Sequence, residues 1–148
     1  MQDTPRVAYA ALAPAAYKAL RDLSAALYGG ALDRVLVDLV FLRVSQVNGC
    51  AYCIDLHWRD LIAQSADPRK LNALSAWQEM PFFSERERAA LNWAEIVTRT
   101  AGRDATDEEF ARLRAHFSET EIAELTFTVA AMNAWNRMAI SMRQPVKA

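Results

Sequence analysis

Residues 34–57 read RVLVDLVFLRVSQVNGCAYCIDLH, and this stretch decides the fold. Its first half is apolar at helical spacing, and Asp33 directly before it can cap a helix. The residues expected to face inward are Val35, Leu36, Leu39, Val40, Val44 and Val47. Asn48-Gly49 is a stop signal, so we expect a second helix to open at Cys50 and to reach about Gln64.

The rest of the chain also has helical periodicity. An earlier helix is expected to end at Gly29-Gly30, and Asp67-Pro68 opens a short one because a capping side chain precedes the proline. The apolar face of the earlier helix consists of Ala16, Leu20, Leu23 and Leu27. Three capping boxes begin at Ser84, Thr106 and Ser118 and predict helices over about 84–99, 107–116 and 118–142. With no strand-like alternation, the chain is predicted to be one all-α domain over residues 1–148, a bundle of six or seven helices.

Composition excludes several classes of protein. The 148 residues are the length of one domain, and 53% of them are hydrophobic, which is too many for a disordered chain. Lys and Arg total 17 against 18 Asp and Glu, so the net charge of −1 argues against a nucleic-acid binder. Two cysteines cannot form the framework of a disulfide-stapled secreted domain.

Location is inferred from the N-terminus and from the apolar runs. Residues Met1–Arg6 lack the basic segment and apolar core of a secretory signal. The apolar runs are far shorter than the roughly 20 residues that a membrane span needs. We therefore expect a cytoplasmic protein with no membrane partner. In a reducing compartment a C-x-x-C pair is more often redox-active or metal-binding than structural.

Cys50, Cys53 and His57 form the most informative cluster. Their spacing of i, i+3 and i+7 places the three side chains within an arc of roughly 60° on one helix. His57 follows Cys53 by four residues and can reach that thiol. Both cysteines lie in the first turn, where free N–H groups and the helix dipole favour a thiolate. This is the environment of a reactive thiol pair.

Other interpretations of the pair are weaker. A structural disulfide would close too short a loop to remove much chain entropy. A zinc site would lack a nearby fourth ligand because the only other histidine is His116. Covalent haem needs a histidine where Ile54 stands, and a thioredoxin-like motif needs strands. Two inert buried thiols remain the serious alternative. We expect no metal and no cofactor.

Asp38 is the one charged residue in the apolar run 35–42. Burial would raise the pKa of its carboxyl group, and such a group near a thiol or an imidazole is a candidate general base. The alternative is an ordinary ion pair with Arg34, which lies four residues earlier.

The segment Arg43–His57 resembles the core motif of the alkyl hydroperoxidase D-like, or carboxymuconolactone decarboxylase, family. Residues 74–77 and 81–91 are similar to the next conserved block of that family, and residues 133–137 resemble its C-terminal signature. Together these segments span most of the chain from about residue 31 onward. The resemblance implies the helical fold of that family.

The resemblance also implies an activity. Redox members of the family carry an acidic residue, usually Glu, twelve positions before the first cysteine, and here that position holds Asp38. The peroxidase has a histidine where this chain has Tyr52. By resemblance, Cys53 attacks a hydroperoxide, Cys50 resolves the sulfenic acid, and His57 with Asp38 moves the proton. The implied partners are a hydroperoxide, a dithiol donor such as a thioredoxin-like or lipoyl protein, and further copies of the chain in a trimer or hexamer.

Two alternatives come from other classes of function. The first is a non-catalytic redox sensor, whose disulfide forms slowly and changes its assembly. The second is a lyase like the carboxymuconolactone decarboxylases, although those members generally lack the cysteine pair present here.

Overall fold

The computed structural model describes residues 4–146, so the first three residues of the N-terminal stretch considered above lie outside it. Its elements in chain order are α1 (Tyr9–Leu12), α2 (Pro14–Tyr28), α3 (Arg34–Asn48), α4 (Ala51–Ala63), α5 (Pro68–Asn72), a 3-10 helix (Leu74–Ala76), α6 (Glu85–Thr98), α7 (Asp107–Arg114) and α8 (Glu119–Ser141). No strand occurs within residues 4–146, which confirms the all-α prediction. The sequence did not predict α1 or the 3-10 helix.

Helix α3 is the centre of the bundle. It packs against α4, α6 and α8, and every residue from Leu36 to Ser45 is buried. The expectation of a single inward face was therefore too narrow, because this helix is covered on all sides. It was also wrong for Val35, which lies in the first turn of α3 and is 39% exposed.

The ends of the helices mostly follow the predicted signals. Asp33 Oδ1 accepts the Leu36 N–H at 2.9 Å, and both bonds of the capping box are present at Ser84 and at Ser118. The box predicted at Thr106 is half formed. Its hydroxyl accepts the N–H of Glu109, but the Glu109 carboxylate instead accepts a hydrogen bond from Asn92.

The thiol pair lies in the hydrophobic core of the bundle. Both cysteines belong to the larger apolar cluster, which is built from α3, α6 and α8 with the start of α4. A smaller cluster lies under α5 and the 3-10 helix. Helix α2 packs on α8 from outside and fully buries only Leu27, while α1 buries no residue. Within residues 4–146, no helix has the length and apolar character needed to cross a bilayer.

Candidate active site

Cys50 is the N-cap residue of α4. Gly49 before it has a φ of 71°, the left-handed conformation that ends α3, and Cys50 itself is extended. The Cys50 sulfur therefore faces the first turn of α4 and accepts the N–H of Cys53 at 3.4 Å. Both thiols are free and buried. The sequence predicted this placement at a helix N-terminus.

The pKa values of the two thiols are shifted in opposite directions. Contact with the Cys53 side chain lowers the pKa of Cys50 to about 7, and the Cys53 backbone N–H adds to the effect. The same contact, together with burial, raises the pKa of Cys53. As the pH rises through about 7, Cys50 is therefore the thiol that ionises, while Cys53 keeps its proton.

Asp38 lies on α3 with its carboxylate fully buried. Its two oxygens accept hydrogen bonds from the Tyr28 hydroxyl and the Gln64 amide, each at 2.6 Å, and Arg34 Nε stands 3.8 Å away. Burial by itself raises the pKa of Asp38, but its polar partners outweigh burial and lower the pKa below its usual value. The predicted burial is confirmed, whereas the predicted direction of the pKa shift was wrong. The Arg34 ion pair considered as an alternative is also present.

His57 stands between two carboxylates. Its Nδ1 is 3.4 Å from Asp38 Oδ1 and 3.6 Å from Asp60 Oδ2, distances at the outer limit of hydrogen bonding. Nδ1 is buried and makes no aligned hydrogen bond within the described residues, while the ring packs on Phe41 with centroids 4.9 Å apart. The structure thus brings His57 and Asp38 together and adds Asp60, which the sequence did not single out.

These three side chains are also the group that could hold a cation. One ligand atom each from Asp38, His57 and Asp60 lies within 4.8 Å of the others. This set differs from the Cys50, Cys53 and His57 set considered from the sequence. Two carboxylates and one imidazole are ligands that divalent transition metals accept.

A cavity of about 660 Å³, here called the thiol cavity, opens beside the site. Its wall includes Cys53, His57 and Asp60, and the remaining wall is mainly aromatic and apolar. In the part of the chain that the structure describes, neither Cys50 nor Asp38 belongs to this wall. Cys53 is therefore the thiol that a molecule in the cavity would meet.

Helix α8 contributes a buried polar side chain, Asn136, that interacts with the Cys50 thiol. The Asn136 amide is buried, donates to Ser45 Oγ at 3.1 Å and lowers the pKa of Cys50. Its Oδ1 accepts the Asn48 amide at 2.9 Å, so α8 is joined to the end of α3. Asn136 therefore makes hydrogen bonds from α8 to two residues of α3.

The chain is similar to a known protein family, to another protein sequence and to solved structures. The model of the carboxymuconolactone decarboxylase family matches residues 14–95. The uncharacterised Bacillus subtilis protein YdfG is 34% identical over 137 residues, which are 93% of each chain. A crystal structure of an Agrobacterium tumefaciens protein of unknown function, for which an antioxidant-defence role as AhpD has been suggested, is 38% identical. It superposes with a TM-score of 0.92 and covers 97% of this chain and 100% of its own.

A more distant structure shares the fold. The debrominase Bmp8 is 23% identical and superposes with a TM-score of 0.82 over 91% of this chain and 73% of its own. At that level of identity the likeness concerns the fold alone.

Proposed function

The chain belongs to the carboxymuconolactone decarboxylase family, and from this premise we propose that it is a thiol-dependent peroxidase that reduces organic hydroperoxides. Membership confirms the resemblance found in the sequence. One observation carries the proposal: two free thiols are in contact at a helix N-terminus, and one of them faces a cavity that it shares with His57. A thiol pair in which Cys50 has the lowered pKa and Cys53 faces a substrate-sized cavity supports thiol oxidation chemistry.

We propose Cys53 as the attacking thiol because it lines the thiol cavity. The proton of Cys53 passes to Cys50, with which it is in contact, so that the single negative charge moves to the cavity wall. The Cys53 thiolate attacks the outer oxygen of the hydroperoxide, a sulfur–oxygen bond forms, and the oxygen–oxygen bond breaks. The alkoxide leaves, takes a proton and becomes the alcohol, and Cys53 becomes a sulfenic acid.

Cys50 completes the oxidative half of the cycle. Its sulfur attacks the Cys53 sulfur, the sulfur–oxygen bond breaks, and water leaves as a Cys50–Cys53 disulfide forms. The two sulfurs together lose two electrons, and the peroxide gains them. A partner dithiol, thioredoxin-like or lipoyl, restores the pair by thiol–disulfide exchange. Because this step needs a supply of reduced dithiol, a reducing cytoplasm suits the proposal.

His57 is the proposed proton carrier. Its Nδ1 lies between two carboxylates and its ring lines the thiol cavity, so we propose that His57 holds the proton released when Cys50 ionises and gives it to the leaving alkoxide. The lowered pKa of Asp38 keeps its carboxylate ionised at neutral pH. It is therefore a poor general base, and we propose it as a positioning residue that acts through His57.

Stopped-flow oxidation of the reduced chain tests the assignment. Cys53→Ser should abolish hydroperoxide reduction, whereas Cys50→Ser should complete one turnover and stop at a sulfenic acid on Cys53, detected by mass spectrometry after trapping. A sulfenic acid on Cys50 in the Cys53→Ser variant would reverse the two roles. Oxidation no faster than that of a free thiol would refute the peroxidase. If the oligomeric state then followed the redox state, the redox-sensor alternative would stand.

Assays with lactone substrates distinguish the lyase alternative from the peroxidase. The Cys50→Ser, Cys53→Ser double variant should be inactive toward hydroperoxides, and on the peroxidase proposal neither it nor the native chain should convert lactones. Lactone turnover that survives the double substitution would favour the lyase.

We also propose that the chain assembles with copies of itself, as a trimer or hexamer. Two large apolar side chains are exposed on α8 of the single chain, Phe127 at 58% and Ile140 at 47%. Burying such side chains favours association. Sedimentation velocity should show an oligomer that Phe127→Asp weakens, while Thr120→Asp at an exposed polar position of α8 does not. A native chain that sediments as a monomer would refute this.

A further inference from the structure

We propose that Tyr9 and Trp135 are specificity-determining residues, which bind the organic body of the hydroperoxide in the thiol cavity. The inference rests on the proposed peroxidase function. It adds two specificity residues outside the thiol, histidine and carboxylate groups.

The size of the cavity is the first argument. Its volume of about 660 Å³ lies within the range of roughly 300–1,000 Å³ that encloses whole cofactors and drug-sized ligands. A water molecule occupies only about 30 Å³, and hydrogen peroxide is little larger. Such a small peroxide would leave the cavity almost empty and gain little from its wall. A cavity of this size is suited to a substrate with a large organic body.

The wall is the second argument, since aromatic rings follow one another along it. Tyr9 and Tyr17 have ring centroids 6.0 Å apart, and Tyr17 meets Trp135 edge-to-face at 5.5 Å. The Trp135 indole is held in place by its N–H bond to Ser24 Oγ at 2.9 Å. Such rings offer large apolar surfaces at low cost in conformational entropy. The wall therefore prefers an aromatic or branched hydrocarbon group.

The aromatic wall extends to the reacting groups. Phe41 lines the same cavity, packs against the His57 ring at 4.9 Å and meets Tyr28 edge-to-face at 5.8 Å. A substrate whose body contacts Tyr9 and Trp135 can thus place a terminal peroxide group near Cys53 and His57. Binding energy from the body then holds the peroxide oxygen at the thiol, which is how remote contacts raise a rate.

Tyr9 lies outside the family match at residues 14–95, whereas Trp135 belongs to the segment 133–137 that resembles the family's C-terminal signature. Tyr9 belongs to an N-terminal segment tied to the end of α8, because Arg6 donates its backbone N–H to Met142 O at 2.9 Å and a guanidinium N–H to Ser141 O at 3.1 Å. Tyr9 is partly buried, whereas the residues beside it are exposed. This segment therefore shapes the cavity through Tyr9.

The test compares cumene, tert-butyl and hydrogen peroxides on the native chain. We expect kcat/KM to fall in that order, by at least ten-fold from first to last. Tyr9→Ala should lower kcat/KM for cumene hydroperoxide by about two- to ten-fold, the value of one aromatic contact, and leave hydrogen peroxide unchanged. Leu12→Ala is the matched control, because Leu12 is exposed on the same segment and does not line the cavity.

A binding measurement separates this inference from the peroxidase proposal. Calorimetric titration with 2-phenyl-2-propanol, the unreactive alcohol of cumene hydroperoxide, should show binding that Tyr9→Ala and Trp135→Ala weaken and Leu12→Ala leaves unchanged. Equal rates for the three peroxides, with no binding of the alcohol, would overturn the inference and leave the peroxidase intact. Binding of the alcohol without turnover of any peroxide would refute the peroxidase and still support the aromatic ligand class.

Discussion

Replacing Asp38 by Asn removes one buried charge while keeping the shape of the side chain. The native carboxylate accepts hydrogen bonds from Tyr28 and Gln64, both at 2.6 Å. Hydrogen bonds to a charged group contribute about 1.5–3 kcal/mol each. The amide of Asn has one acceptor oxygen, so its NH₂ group must face one of the two donors. One charge-assisted bond is lost and the other becomes neutral, while the cost of burying a charge disappears. We expect Asp38→Asn to lower the free energy of unfolding by about 2–3 kcal/mol at pH 7.

The dependence on pH identifies the cause of this loss. Because folding lowers the pKa of Asp38, its contribution is fully present above the unfolded value of 3.8 and is lost as the pH falls through the lower folded value. The deficit of Asp38→Asn should therefore stay constant from pH 7 down to about pH 5 and shrink as the pH falls further. Urea unfolding followed by tryptophan fluorescence measures it, with Asp55→Asn as control, since the Asp55 pair with Arg59 is partly exposed and contributes little. A deficit below about 0.5 kcal/mol at pH 7, or one that does not change with pH, would refute the reasoning.

Three further predictions concern the thiols and the core. Alkylation of the reduced chain should speed up as the pH rises, with a midpoint near 7, because the pKa of Cys50 is about 7; Cys50→Ser should move the midpoint upward, and an unchanged midpoint would contradict this. Gly49→Ala should lower the free energy of unfolding by about 1–2 kcal/mol, because alanine is strained at the φ of 71° that this position adopts. The added methyl group would meet no atom within 4 Å, so no clash contributes, and an unchanged stability in urea would contradict the prediction. Glu95→Gln should cost about 3 kcal/mol in thermal unfolding, since it leaves the Arg43 guanidinium, 2.7 Å from the carboxylate, without its charge partner; a loss below about 1 kcal/mol would exclude that role.

Local signals predicted most of the fold and part of the site. Asp33, Gly49 and the i, i+3, i+7 spacing from Cys50 act within a few residues, so they can be read directly from the sequence. The partners of Asp38 cannot, because Tyr28 and Gln64 lie 10 and 26 residues away and meet it only when the helices pack. Without these partners, the sequence indicates only that Asp38 is buried, and burial alone predicts a raised pKa instead of the lowered one.

The same limit applies to the cavity and to the acidity of the thiols. Tyr9, from the start of the chain, and Trp135, from near its end, lie in one cavity wall, and no local pattern connects them. The sequence favoured a thiolate in the first turn of α4, but the direction of the Cys53 shift depends on its contact with Cys50. Interactions between distant segments therefore define the features that the sequence could not predict.

Because α3 is covered on every side, its polar side chains depend on partners from other helices. Arg43 needs Glu95 from α6, and Ser45 needs Asn136 from α8. A substitution at one member of such a pair removes a hydrogen bond from a buried polar group of the other, so single changes are selected against even where a double change would be tolerated. Among relatives these positions should therefore covary in pairs, and their pattern of variation should report the packing of α3 independently of the redox chemistry.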